Sequence, residues 1–366
     1  MRVVVLAPNW LGDVVMALPA IAAVRRWFGG AHLAVAARAP VAPLLSMAGG
    51  IDEVVVLAGR GDWRDAAGRR ADAQQLASSR FDLALLLPNS FHAAWLLRQA
   101  GVPERWGYRA DLRAMLLTRA VPKPRGPVTQ AAYYLALVQS LGGPDAPLAA
   151  SLQISDAQRD AAAALLRANG WTAGPLVAFA PGAAFGPAKR WPLDRVAQVA
   201  RRLAADLGVT PVLVGAHGDL DSIAEVLRRY RALAGASADA IDLGGRTDLL
   251  TLAGVFTLCD AVLSNDSGAM HVAAAVGVPV TAIFGPTDER ATSPLPHPSG
   301  PLATIVAGQA RCRPCLLRMC PIDHRCMTSI EPARVAQVVA ASMGGDCGTA
   351  DRGTRVPPPQ QREREL

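Results

Sequence analysis

The sequence predicts an α/β protein with parallel sheets, arranged as two domains. Short apolar runs alternate with helical or Arg-rich segments along most of its length, the pattern of parallel sheets covered on both faces. The runs end in polar loops bearing glycine or proline, where open α/β sheets bind ligands. And 366 residues exceed one ordinary core and suit two domains of about 150 residues each.

In chain order, Val3 to Ala7 reads as a buried strand bounded by Pro8-Asn9. The loop Asn9-Trp10-Leu11-Gly12-Asp13 leads into a helix from Val14 to Phe28, stopped by Gly29-Gly30. No Gly-x-Gly-x-x-Gly follows the strand, which disfavours a dinucleotide site. Strands follow at Leu33 to Ala37, Glu53 to Leu57 and Leu83 to Leu87, with helical material such as Arg64 to Ala77 between them. Asn89, Ser90 and His92 then sit in a strand-end loop as ligand contacts; Asn89 or Ser90 would serve equally as a helix cap. A helix from Tyr133 to Leu141 closes a first domain over 1–150, and an inter-domain region over 151–174 carries the helix Ser155 to Ala168.

The second domain, over 175–343, restarts with the strand Leu176 to Ala180 and the loop Pro181 to Pro192. Its small residues, Gly182 among them, let backbone N–H groups approach an anion, and Lys189 and Arg190 supply charge. Lys189 is one of only two lysines among 37 cations; its compact charge on a flexible stem suits a phosphate. The strand Pro211 to Val214 ends at Gly215 to Asp219, and Ile241 to Leu243 ends at Gly244 to Thr247. Asp219 fits a ribose-hydroxyl acceptor or an N-terminal helix cap. The strand Ala261 to Leu263 then meets Ser264-Asn265-Asp266-Ser267-Gly268, a turn that can cap a helix and leave its first N–H groups to an anion, with His271 one turn inside. Residues 344–366 lack any apolar period and are expected to form a disordered tail.

Net charge is +7, concentrated in the first 150 residues. Arg98, Arg105, Arg109, Arg113, Arg119, Lys123 and Arg125 face only Glu104 and Asp111, which implies an acidic or phosphorylated partner or a solvated basic face. Nucleic acid is disfavoured, since aromatic interleaving and nucleic-acid modules are absent. The apolar run Val3 to Val24 is broken by Pro8-Asn9 and Gly12-Asp13 and has no signal-peptide frame, so a cytoplasmic protein is expected. Cys312, Cys315, Cys320 and Cys326, with His324 among them, do not form a secreted disulfide ladder; their spacing admits a structural zinc site, reduced or transiently oxidised thiols, or an iron–sulfur cluster.

Four motifs together resemble a known family: Asn9 to Asp13, Leu87 to Phe91, Pro181 to Pro192 and Ser264 to Ala275. They are similar to those of the ADP-heptose:lipopolysaccharide heptosyltransferases of glycosyltransferase family 9, most closely the heptosyltransferase II branch, over residues 1 to about 343. The resemblance implies a GT-B fold, two Rossmann-like domains facing a central cleft. It implies inverting, metal-independent transfer of L-glycero-D-manno-heptose from ADP-heptose to the first inner-core heptose of lipopolysaccharide. A sibling core heptosyltransferase or a non-catalytic nucleotide-sugar-binding homologue are the alternatives.

By the same resemblance Asp13 is the catalytic base, and Lys189 binds the diphosphate and offsets charge on departing ADP. Gly182, Asp219, Asp266, Ser267, Gly268 and His271 belong to the donor site. Asn9, Trp10, Gly12, Asn89, Ser90, His92, Arg98, Arg109 and Arg113 belong to the acceptor side. The acceptor, lipid A–Kdo–heptose, implies peripheral contact with the cytoplasmic face of the inner membrane, and no cofactor is required.

Overall fold

A computed structural model describes residues 1–61, 64–235 and 238–344; of the expected tail, 345–366 lie outside them. The first six strands are β1 (Arg2–Leu6), β2 (His32–Arg38), β3 (Glu53–Leu57), β4 (Leu83–Leu86), β5 (Glu104–Tyr108) and β6 (Arg119–Val121). They form one sheet in the order β3-β2-β1-β4-β5-β6, every pairing parallel. The next six are β7 (Leu176–Ala180), β8 (Thr210–Gly215), β9 (Ile241–Gly244), β10 (Ala261–Asn265), β11 (Val280–Phe284) and β12 (Thr304–Ala307). These form a second parallel sheet, β12-β11-β10-β7-β8-β9. Renumbered from β7, that is the same order as the first sheet, the doubly wound Rossmann order.

Apolar composition explains the central strands. Every residue of β7, β10 and β11 is buried, as expected where helices cover both faces. Three strands were not foreseen. β5 reads Glu-Arg-Trp-Gly-Tyr and β6 has three residues, so both lack the apolar run that marks a central strand, while β12 is the short run Thr-Ile-Val-Ala with only its middle pair buried. The first helix also begins earlier than the pattern suggests, at Leu11, and runs to Trp27. Asp13 is therefore its third residue and not a cap.

The largest core cluster holds residues of both halves, among them Val14, Ile21 and Met47 with Val272, Phe256 and Leu243. The chain between the sheets is tied to both: Gln153 N–H donates to the Met47 carbonyl at 2.8 Å and Leu152 N–H to that of Ala275 at 2.8 Å. The helix Asp156–Ala168 opens with a capping box of Ser155 and Gln158 and packs on the helix Leu249–Thr257. There a Cβ on Gly254 would lie 2.8 Å from the Gln158 carbonyl oxygen. Among the described residues no helix is long and apolar enough to cross a membrane.

Candidate active site at the facing strand ends

Strand order reverses between β1 and β4 in the first sheet and between β7 and β10 in the second. Such reversals open a crevice beyond the strands' carboxyl ends. The helix Leu11–Trp27 starts over the first crevice and the helix Gly268–Ala275 over the second, and the two meet. A Cβ on Gly268 would stand 2.8 Å from Leu11, and one on Gly12 would stand 2.7 Å from the His271 ring. Glycine at both positions is what lets the two helix starts touch. Neither helix start has a side-chain cap: Trp10 offers no acceptor, and Ser267 makes no cap hydrogen bond.

Asp13 is half-buried at this junction and has no ion-pair partner among the described residues. Burial raises its carboxyl to about 6, while the charge of Lys189 from the other half pulls it down. Tyr134, on the helix Gln130–Ser140, is buried beside it, and its phenol is held above the ordinary range by burial first and by the Asp13 charge second. Sequence reading found Asp13 and missed Tyr134, whose apolar helix gave no sign of a site.

Across the junction Lys189 Nζ lies 2.6 Å from Asp266 Oδ2, and Thr287 Oγ1 donates to the same oxygen at 2.6 Å. Both ions are largely withdrawn from solvent, at 13% and 5% side-chain exposure, so each depends on the other for neutralisation. Lys189 Nζ also stands 4.8 Å from the Phe185 ring centre. Its loop is fixed by Asn265, which accepts from Trp191 N–H at 3.1 Å and donates to the Pro181 carbonyl at 2.7 Å. His271 is buried with Nδ1 unpaired. Burial lowers its pKa to about 4, Asp266 opposing and Lys189 adding, so its imidazole is neutral at physiological pH. Ser267 Oγ is 3.2 Å from Ser264 Oγ.

Asp219 lies against Gly182, where a Cβ would come within 2.2 Å of its Cγ. It accepts from Ala216 N–H at 3.2 Å and stands 3.8 Å from Arg190. It closes its own turn and does not cap the following helix, to which it offers no side-chain bond.

On the first sheet's side the expected residues divide. Asn9 and Trp10 are exposed at the crevice. Asn9, Ser90 and His92 line a small cavity with Arg38 and Pro88. Ser90 caps its helix through Ala93 N–H at 3.2 Å, and Asn89 donates to Tyr133 Oη at 2.8 Å. Two of the three expected arginines are elsewhere. Arg113 is fully buried, donating Nε to the Tyr108 carbonyl at 3.0 Å and Nη1 to the carbonyls of Pro88 and Ser90. Burial lowers its pKa to about 10; it braces the crevice loop from beneath and is not available as an acceptor contact. Arg98 lies in the last turn of the helix Phe91–Gln99, near enough to Arg105 at the start of β5 for their charges to repel, and so sits toward the amino-terminal ends of the strands, away from the crevice. Arg109 alone of the three is exposed near the crevice edge.

The zinc expectation is corrected. Among the described residues no group of three or more His, Cys, Asp or Glu could hold a metal ion, and Cys312, Cys315, Cys320 and Cys326 are free thiols. Cys326 is buried in the second core cluster while Cys312 is exposed, and His324 Nε2 is engaged by the Ala188 carbonyl at 2.7 Å. This segment instead braces the donor-side loops. Arg318 O accepts from Ala188 N–H at 3.1 Å, and Cys315 and Leu316 N–H donate to the Pro286 carbonyl at 3.0 and 2.9 Å. Arg313 donates to the Thr287 carbonyl at 3.2 Å and to Glu289 at 2.8 Å. Arg318 also stands 5.3 Å from the Phe185 ring, which Lys189 approaches too. Thr287, Arg313 and Arg318 were missed from sequence. Thr287 had a signal, since it follows β11 as Asp266 follows β10.

The family profile described as glycosyltransferase family 9 (heptosyltransferase) matches residues 69–325. The chain is 32% identical over 306 residues to lipopolysaccharide heptosyltransferase 2 of Escherichia coli, covering 81% of this chain and 86% of that one. It is 30% identical over 347 residues to lipooligosaccharide heptosyltransferase 2 of Haemophilus ducreyi, covering 92% and 98%. The solved structure of the Escherichia coli ADP-heptose lipopolysaccharide heptosyltransferase II superposes with a TM-score of 0.76 at 29% identity, over 94% of this chain and 98% of that one.

Proposed function

The chain belongs to glycosyltransferase family 9, the heptosyltransferases, and on that premise we propose that it transfers L-glycero-D-manno-heptose from ADP-heptose to the first inner-core heptose of lipopolysaccharide, with inversion and without a metal. It would do so at the cytoplasmic face of the inner membrane, against which its lipid-anchored acceptor holds it. The observation that carries this reading is the meeting of an unpaired carboxylate, Asp13, with the Lys189–Asp266 pair across the two strand-order reversals.

An acceptor hydroxyl must lose its proton as it attacks the anomeric carbon, and a carboxylate titrating at about 6 is ionised at neutral pH yet basic enough to help. The diphosphate leaves with growing negative charge. Lys189 and the uncapped start of the helix Gly268–Ala275 face that charge. In the free enzyme Asp266 neutralises Lys189, so an arriving diphosphate exchanges one anionic partner for another. That exchange also affects the base: once a diphosphate screens Lys189, its pull on the Asp13 carboxylate weakens and Asp13 becomes more basic. Direct attack by one hydroxyl on a sugar held from the other half gives inversion. Asp266 and His271 would contact the heptose, and Asn9, Trp10 and the Pro88–Ser90 loop the acceptor.

ADP release measured with ADP-heptose and acceptors of increasing core length tests the reading. Turnover should begin with the acceptor that bears one heptose. Equal turnover of a heptose-free Kdo acceptor would assign the chain to a different step.

A further inference from the structure

After β5 the chain makes a turn in which Asp111 and Leu112 both take left-handed backbone angles, φ 45° and 56°. L side chains rarely adopt that conformation, and it persists where surrounding contacts over-determine it. The contacts are visible. Arg113, the next residue, is the fully buried arginine whose guanidinium bonds the carbonyls of Tyr108, Pro88 and Ser90. Leu116 is buried on the far side of the turn. Pinned from beneath, the turn holds Leu112 87% exposed and Met115 76% exposed. They are more exposed than any other large apolar side chain among the described residues.

The surroundings of the turn are cationic. Arg109 opens it and is exposed, and its N–H donates to the Val121 carbonyl at 2.7 Å. The chain leaving β6 therefore emerges beside it, carrying exposed Lys123 and Arg125. Asp111 is the one carboxylate in the turn.

We propose that this turn is a membrane-docking element, in which Leu112 and Met115 insert into the interfacial region of an anionic lipid surface while Arg109, Lys123 and Arg125 engage its headgroups. Two apolar side chains flanked by cations are what a peripheral anchor requires. The proposal rests on the reading above that the acceptor is lipid-anchored, and it specifies how the enzyme is held. Arg113 links the turn to the Pro88–Ser90 loop, so docking places the acceptor crevice at a fixed height above the bilayer.

Flotation of the full chain with vesicles tests it. The wild type should bind phosphatidylcholine vesicles containing phosphatidylglycerol and not phosphatidylcholine alone. L112S/M115S should lose about tenfold or more of that binding while keeping its melting temperature and its rate on a water-soluble, lipid-free heptose acceptor. A second exposed apolar pair, Leu316 at 61% and Met319 at 73% exposure, provides the control: L316S/M319S should bind like the wild type. The proposal is overturned if the wild type ignores anionic vesicles, if L112S/M115S binds undiminished, or if only L316S/M319S loses binding. Failure of the function reading has its own signature, the absence of wild-type transfer to the soluble acceptor whatever the vesicles show.

Discussion

The two sheets share one strand order, yet they treat charge at their strand ends in opposite ways. In the first half Arg38 is paired with the buried Asp72, but Asp13 is left without an ion-pair partner among the described residues and is partly desolvated, so its carboxyl is raised to about 6. In the second half charges are matched: Lys189 with Asp266 at 2.6 Å and Arg190 with Asp219 at 3.8 Å. The contrast fits the division of roles proposed above. A base needs its lone pair free and its charged form mildly disfavoured, whereas a site for a dianionic leaving group needs cations held in place until an anion displaces their partner.

Removing the unpaired charge should have the largest effect. D13N is expected to lower kcat/KM by about a hundred- to ten-thousandfold. The same change should stabilise the fold. Because the folded-state pKa of Asp13 is raised, from 3.8 to about 6, its favourable contribution is fully present only below the unfolded pKa and is lost as pH rises through the folded one. At pH 7.5 the ionised carboxylate therefore costs stability, and asparagine should recover ~1–3 kcal/mol. Activity and denaturant unfolding measured on one preparation check both; a destabilised D13N would mean that Asp13 is paired after all.

Next comes the matched side. K189A should cost about a hundred- to a thousandfold in kcat and weaken ADP binding in calorimetry; an unchanged rate would remove Lys189 from the leaving-group role. Smaller is the effect of disturbing the seam between the halves. In G12A the new Cβ would stand 2.7 Å from the His271 ring, and the resulting shift should reduce turnover by up to about a hundredfold and stability by ~1–3 kcal/mol. Stopped-flow turnover beside a melting curve separates the two effects. Least of all, T287V deletes one hydrogen bond to Asp266 and should change ADP affinity by only a few-fold, in line with ~0.5–1.5 kcal/mol.

Much of this was legible in the sequence because parallel sheets write themselves as apolar runs ending in polar loops. Val3 to Ala7, Leu176 to Ala180 and Ala261 to Leu263 all became central strands; the loops after the second and third carry Lys189 and Asp266, and the helix start after the first carries Asp13. Of the four edge strands β3 and β9 were legible, while β6 and β12, of three and four residues, are too short to stand out. Nor was the division of labour among arginines. Arg98, Arg109 and Arg113 look alike in sequence, but position decides their work: Arg113 turns inward to bond carbonyls, Arg98 lies in the last turn of a helix toward the amino-terminal ends of the strands, and Arg109 stays exposed at the crevice edge. The cysteines misled for a related reason. Spacing records distance along the chain, while a metal site needs convergence in space, and Cys326 is drawn into the core beneath its segment.

The central claim is that an unpaired base in one half is coupled to a paired cation in the other. The pH dependence of kcat/KM, recorded for the wild type and for K189A, tests it most directly, since that profile reports the ionisations of the free enzyme. The account predicts activity rising with pH through an acid limb near 6 in the wild type, and a limb displaced upward in K189A, where the lysine no longer favours the charged carboxylate. A wild-type limb at the ordinary aspartate value near 3.8, or one that stays in place when Lys189 is removed, would contradict it.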